Sequence, residues 1–189
     1  MPRKLVSRGS SRRVRRLTSK ACYTGIGSRS CPYDIQRLMT RIAVFLGRRD
    51  YVLRSGGAVG ADAAFEAGVS DSSLKEVYLP WRGFNQRHSQ YEGVDLKALQ
   101  MAESFHPAWD RLSTGAKELH ARNCYQVLGR GLDDPSAFVV CWTKGGKMAG
   151  GTAQALRIAR HYGISVLNLG NDKNLSHVME CLNSDQVFA

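Results

Sequence analysis

Ala137-Phe-Val-Val-Cys-Trp142, followed by Lys147-Met-Ala-Gly-Gly-Thr152 and then by Ala155, Leu156, Ile158 and Ala159, decides the fold. A nearly continuous apolar run of this length suits a strand covered on both faces, the condition at the centre of a parallel sheet. The glycine pair ends the run, and the apolar spacing beyond it is that of a helix. Glycine lets the backbone turn sharply between the two elements. Strand, glycine turn and helix in that order make the first half of a βαβ unit.

The same grammar recurs upstream. A strand at 21–24 leads into Tyr23-Thr-Gly-Ile-Gly-Ser-Arg29, and Cys31-Pro32 opens a helix whose core face is Ile35, Leu38, Met39, Ile42 and Leu46, up to Gly47. A second strand at 51–54 runs into Arg54-Ser-Gly-Gly-Ala-Val-Gly-Ala-Asp62 and a helix through Ala64 and Ala67. A third strand at 77–79 is stopped by Pro80, Ser113 caps a helix reaching about Leu128, and a strand at 164–167 precedes a terminal helix at 175–182. The expected fold class is α/β: a Rossmann-like parallel sheet flanked by helices with right-handed crossovers, one domain over 21–189. Between Trp81 and Trp109 the pattern breaks into a long irregular stretch in which Trp81, Arg82, Phe84, Asn85, Arg87, His88 and Tyr91 mix aromatics and cations. That mixture suits base stacking beside phosphate contacts, or an amphipathic cover over the sheet edge.

Charge divides the 189 residues differently. Of the formal net charge of +11, eight charges fall in 1–20, which holds Arg3, Lys4, Arg8, Arg12, Arg13, Arg15, Arg16 and Lys20 and no acid. With little apolar beyond Leu5, Val6, Val14 and Leu17, this arm cannot bury enough surface to fold alone. Arg12, Arg13, Arg15 and Arg16 are its candidate contacts to nucleic acid or an acidic partner; a solvated tail and an organelle transit segment are the rival readings. No apolar run reaches membrane-helix length and no secretory leader is legible, so a soluble, cytoplasmic protein without a membrane partner is expected. Five cysteines without a Cys-x-x-Cys pair and five scattered histidines predict core thiols, no disulfide framework and no metal.

Glycine turns that open helices are anion sites, because first-turn N–H groups are unpaired and the helix dipole is positive there. The candidate phosphate-binding residues are Gly25, Gly27, Ser28 and Arg29 in the first turn, Ser55, Gly56, Gly57 and Asp62 in the second, and Gly150, Gly151 and Thr152 in the third. Asp62 has two readings, stabilisation of the helix dipole or a bond to a ribose hydroxyl; Thr152 is an anion ligand or a helix cap.

The stretch Leu53-Arg-Ser-Gly-Gly-Ala-Val-Gly-Ala-Asp-Ala-Ala64, with Tyr23-Thr-Gly-Ile-Gly-Ser-Arg29, resembles the glycine turns of the DNA-processing A proteins, which mediate recombination of incoming single-stranded DNA. Leu119-His-Ala-Arg-Asn123, Phe138-Val-Val-Cys-Trp142 and Gly150-Gly-Thr152 are similar to motifs of the Lonely Guy phosphoribohydrolases. Both groups belong to the SLOG superfamily of Rossmann-like domains, and the chain also looks like short stand-alone members from bacteriophages and bacteria. The resemblance implies a nucleotide or nucleotide-derived ligand, with no other cofactor, and a tendency to form homo-oligomers.

It also implies that Arg122 grips a phosphate, where spacing alone would pair it with Glu118; Asn123, in place of a family lysine, reads a base edge or caps backbone. The phosphoribohydrolases close the third turn with a glutamate, whereas Thr152 here is followed by Ala153, Gln154 and Ala155, so no general base stands in its place. Binding without hydrolysis is the first expectation. An enzyme using Glu66, Glu92 or Glu118 as a displaced carboxylate is the alternative. All three turns follow strands of one sheet, which predicts that Gly27, Ser28, Gly56, Gly57, Arg122, Gly151 and Thr152 converge in one cleft.

Overall fold

The computed structural model describes residues 20–188. The strands Cys22–Gly27 (β1), Val52–Ser55 (β2), Lys75–Leu79 (β3), Tyr91–Glu92 (β4), Phe138–Trp142 (β5) and Ser165–Asn168 (β6) form a sheet in the order β4-β3-β2-β1-β5-β6. Every pairing is parallel. Six α-helices accompany them, one after each of β1, β2, β5 and β6 and two between β4 and β5: Tyr33–Gly47 (α1), Ala61–Ala67 (α2), Leu96–Phe105 (α3), Thr114–Leu128 (α4), Thr152–His161 (α5) and Asp172–Asn183 (α6). The fold is the Rossmann-like α/β arrangement expected from the alternation. The basic arm, with Arg12, Arg13, Arg15 and Arg16, lies outside the described residues.

Winding starts at β1, runs outward through β2, β3 and β4, and resumes on the other side of β1 with β5 and β6. The chains leaving β1 and β5 therefore diverge to opposite faces and open a crevice at the carboxyl edge, the usual ligand position in open parallel sheets. β5 is covered on both faces as its apolar run predicts, with Phe138, Val139, Val140 and Cys141 fully buried, but it is the fifth strand of six and the centre of the sheet is β2 and β1. On one face α1, α2 and α6 lay Ile35, Leu38, Met39, Ile42, Leu46, Phe65 and Val178 against Tyr23, Leu53, Phe138 and Val140. On the other, Ala98, Cys124, Tyr125, Leu128, Leu156 and Ile158 of α3, α4 and α5 cover Ile26, Val139 and Cys141. Phe188, five residues beyond α6, returns to the first face and stacks on Phe45 with ring centroids 5.9 Å apart. It also meets Phe138 edge-on at 5.9 Å.

Capping fixes the helix starts. Ser113 Oγ accepts from Ala116 N–H at 3.3 Å at the head of α4, as its position predicts, and Asp95 Oδ1 accepts from Ala98 N–H at 2.8 Å at the head of α3. The second cap lies inside the stretch expected to be irregular. Residues 81–109 contain β4 and α3. They escape the apolar pattern because β4 has two residues and α3 buries only Ala98 and Ala102, whose small side chains let it lie close to α4.

Candidate functional site

The crevice between β1 and β5 holds a cavity of about 460 Å³, a size suited to a small ligand. Its floor is the end of β1 with Gly27, Ser28 and Arg29; one wall is α4, the opposite wall the loop from Thr143 to the head of α5. Ala116, Leu119, His120, Asn123 and Gln126 recur along one side of α4 and line the cavity with Arg122. From Ala121 to Leu128 every residue of α4 is buried, Arg122, Asn123 and Gln126 included. A helix buried all round yet polar along one stripe needs partners for that stripe, and the chain supplies only some of them. Among the described residues, Arg122 Nε, Gln126 Nε2 and His120 Nδ1 are buried without a hydrogen-bond partner.

Of the expected convergence, Gly27, Ser28, Arg122, Gly151 and Thr152 line the cavity, and Arg29, Asp62, Asn123 and Gly150 join them. Gly25, Ser55, Gly56 and Gly57 do not. Gly25 lies within β1 rather than in a turn, and a Cβ there would stand 2.7 Å from both Leu53 and Phe65, so it serves close packing of α2 on the sheet. The second turn is closed by the chain's own carboxylates. Gly56 N–H and Ala58 N–H donate to Asp62 Oδ2 at 3.2 and 3.4 Å. Gly57 N–H and Ser55 Oγ donate to Glu66 Oε1 at 3.1 and 2.8 Å. Arg87, from the segment before β4, completes the lock on Glu66. Donors that the glycine pattern offers to an external anion are thus occupied from within. A glycine motif alone cannot show this, because the occupying acids sit on the following helix.

Arg122 does not pair with Glu118. Its Nη1 donates to Asp62 Oδ2 at 3.3 Å, and the guanidinium lies directly over Gly56. Burial pushes the Asp62 carboxyl up to about 6, against the pull of Arg122, and burial likewise lowers Arg122 from its ordinary value. Asp62 is therefore a buried counter-ion to Arg122, placed in the first turn of α2 and in the cavity lining. Asn123 Nδ2 donates to the Gly151 carbonyl at 3.1 Å and ties the third turn to α4. Thr152 is the first residue of α5 and no side chain caps that helix. Among the described residues Gly151 N–H, Thr152 N–H and the Thr152 hydroxyl make no hydrogen bond. Ser28 spends its N–H on the Trp142 carbonyl, while its hydroxyl meets Ser30 at 3.0 Å.

Lys144, His120, Gln126 and Thr143 belong to the lining and were not among the expected residues. The i, i+3, i+4, i+7 spacing of Ala116, Leu119, His120 and Asn123 was the available signal for the α4 members. His120 lies against His106 with ring centroids 4.5 Å apart and planes tilted by 51°, and burial with that neighbour holds its imidazole down at about 4, hence neutral at pH 7.

Ala155 stands at the cavity wall, whereas Gln154 turns to the Ala102 carbonyl, donating at 2.9 Å. Asp62 is the one carboxylate lining the cavity among the described residues. Glu66 is locked as above, Glu92 accepts from Ser89 N–H at 3.0 Å on the sheet edge, and Glu118 is not part of the lining. The described residues hold no cluster of three His, Cys, Asp or Glu side chains suited to a metal, and no helix long and apolar enough to cross a membrane.

No protein-family profile and no curated protein matches the sequence. Among solved structures the chain is similar to DNA processing protein A from Helicobacter pylori, described for its single-stranded DNA binding mode. The TM-score is 0.50 at 13% identity, over 87% of this chain and 80% of that one, a likeness of fold.

Proposed function

We propose that the chain is a SLOG-type binding protein that holds the phosphate of a nucleotide, or of single-stranded nucleic acid, in the crevice between β1 and β5. The observation that carries this reading is the convergence of Arg122 with the open N-terminus of α5. A buried guanidinium whose Nε has no protein partner faces the same cavity as the first amides of a helix preceded by Gly150 and Gly151. Lys144 and Arg29 at the cavity wall add positive charge. Guanidinium fork, helix dipole and lysine together make a phosphate site, and Ala116, Leu119 and Ala155 give a base or sugar an apolar wall. The fold shared with DNA processing protein A makes single-stranded DNA the first polymer to test, with residues 1–20 as an added phosphate contact.

The site favours binding over cleavage. Ala155 offers no general base, and Asp62 is already engaged by Arg122 and two amides. The alternative, a phosphoribohydrolase with a displaced carboxylate, would have to use Asp62, whose raised value suits proton transfer near pH 6. Titration calorimetry with thymidine monophosphate and a short oligo(dT), on the protein and on Arg122→Ala, tests the reading. Loss of both affinities in the variant supports it; equal affinities for the two proteins overturn it.

A further inference from the structure

We propose that the outer face of α1 is a track for the backbone of single-stranded nucleic acid, leading from the β1–β5 cavity to the start of the described chain. The proposal goes beyond the cavity reading and rests on it only for the strand's anchoring point.

Besides Asp34, the exposed residues of α1 and its C-cap are Tyr33, Arg37, Arg41, Val44 and Arg48. At 100° per residue these five fall within about 80° of arc, so they form one stripe along the helix. Among the described residues none of the three arginines has an acidic partner, although Lys20, Arg49, Arg54, Arg87 and Arg122 all do. Asp34, the acid of the first turn, pairs with none of them. A solvated helix face normally interleaves both signs; here three unpaired guanidinia in one row make a positive ridge, flanked by Asp34 in the first turn and by Asp185, which lines the groove beside Arg41 and Arg48 and pairs with Arg49. The rise of 1.5 Å per residue puts Arg37 and Arg41 about 6 Å apart and Arg48 about 10 Å further on, compatible with successive phosphates of an extended strand.

Both ends of the ridge meet features that suit the same occupant. At the carboxyl edge, Arg29 lines the cavity four residues before Tyr33, whose ring is 76% exposed. An aromatic ring that free of packing is a platform for a base leaving the cavity. At the other end, Arg48 lies two residues before Asp50, which pairs with Lys20 at 2.9 Å. The ridge thus ends beside Lys20, the first described residue, which the seven cations of 1–19 precede in sequence.

The test uses the full chain, fluorescence anisotropy and oligo(dT) of 3, 6 and 12 nucleotides, with thymidine monophosphate as the cavity probe. Affinity of the unaltered protein should rise with length. Arg37→Gln/Arg41→Gln/Arg48→Gln should weaken the 12-mer at least tenfold and flatten its log–log salt slope by about 2, at roughly 0.7 per lost single-strand contact. Monophosphate binding should not change, and the corresponding triple lysine variant should keep most of the 12-mer affinity. Tyr33→Ala should cost a further fivefold or so on the oligomers alone. An unchanged 12-mer affinity and salt slope in the glutamine variant overturns the proposal, as does an affinity that stops rising at three nucleotides. Ridge-dependent binding of anionic vesicles without oligonucleotide binding also overturns it. If the monophosphate fails to bind while the 12-mer still depends on the ridge, the cavity reading fails and the track stands.

Discussion

Arg122 lies over Gly56 so closely that a Cβ on the glycine would fall 1.1 Å from the arginine Nη1. The second glycine turn thus seats the guanidinium instead of a ligand's phosphate. The obstructing atom is the tip of a flexible side chain, so Gly56→Ala should fold, with Arg122 pushed off its seat and away from Asp62. Binding of thymidine monophosphate should fall at least tenfold, close to the loss in Arg122→Ala, since a charge-assisted hydrogen bond contributes about 1.5–3 kcal/mol. Calorimetry on both variants checks this; undiminished binding by Gly56→Ala would show that the position of Arg122 does not matter.

Titration of Asp62 beside Arg122 should make both stability and ligand binding depend on pH. Burial raises the folded-state carboxyl to about 6, above the ordinary aspartate value of about 3.9. The folded protein therefore holds more protons than the unfolded chain between those values, and this group's contribution to stability falls as pH rises from about 4 to 6. Ligand binding should follow the same group. Protonated Asp62 no longer competes for Arg122 and no longer repels phosphate, so affinity should rise several-fold as pH drops from 7.5 to 5.5. A dinucleoside monophosphate is the right probe, because its phosphodiester keeps one charge throughout. Asp62→Asn should bind more tightly at pH 7.5 and lose the pH dependence; His120, held at about 4, titrates below the window.

Much of this architecture is legible in the chain. The run Ala137 to Trp142 announced β5, and the apolar face of α1 from Ile35 to Leu46 is in the core position by position. Periodicity reads large apolar side chains well. It fails for α3, which packs through Ala98 and Ala102, and for a strand as short as β4. The lining of the cavity was legible where a residue's place depends on its own loop, as for Gly27, Ser28, Gly151 and Thr152. A role was not legible where it depends on how a helix side chain folds back: Asp62 and Glu66, only 4 to 11 residues on, filling the second turn, or Asn123 tethering Gly151. Such pairings are set by how α2 and α4 approach the sheet, which no local pattern encodes.

Phe188 provides a stability test remote from the cavity. Its ring is buried against Phe45 and Phe138 although it lies beyond the last helix. Phe188→Ala should cost about 3–5 kcal/mol, the usual range for emptying a buried aromatic site. Urea denaturation followed by circular dichroism would measure it, and ligand affinity in the folded baseline should be unchanged.

Base release from nucleoside monophosphates should stay at background. Ala155 at the cavity wall offers no carboxylate, and Gln154 is spent on the Ala102 carbonyl. Chromatography after prolonged incubation with adenosine, guanosine, cytidine and uridine monophosphates decides the matter. Robust release abolished by Asp62→Asn would instead make Asp62 the displaced acid of an enzyme.

The basic arm separates polymer binding from mononucleotide binding. If Arg12, Arg13, Arg15 and Arg16 contact phosphates, deleting residues 1–19 removes counterion release without touching the cavity. Affinity for a long oligo(dT) should then fall and its salt dependence flatten by up to about 3, at roughly 0.7 per contact over four arginines. Thymidine monophosphate should bind as before, since Arg122, Lys144 and the head of α5 all lie in the remaining domain. Filter binding at several salt concentrations, with Arg122→Ala as the complementary variant, reads both halves at once. Equal salt slopes with and without the arm would assign those cations to solvent or to an acidic protein, and any polymer binding that persisted would have to come from the domain itself.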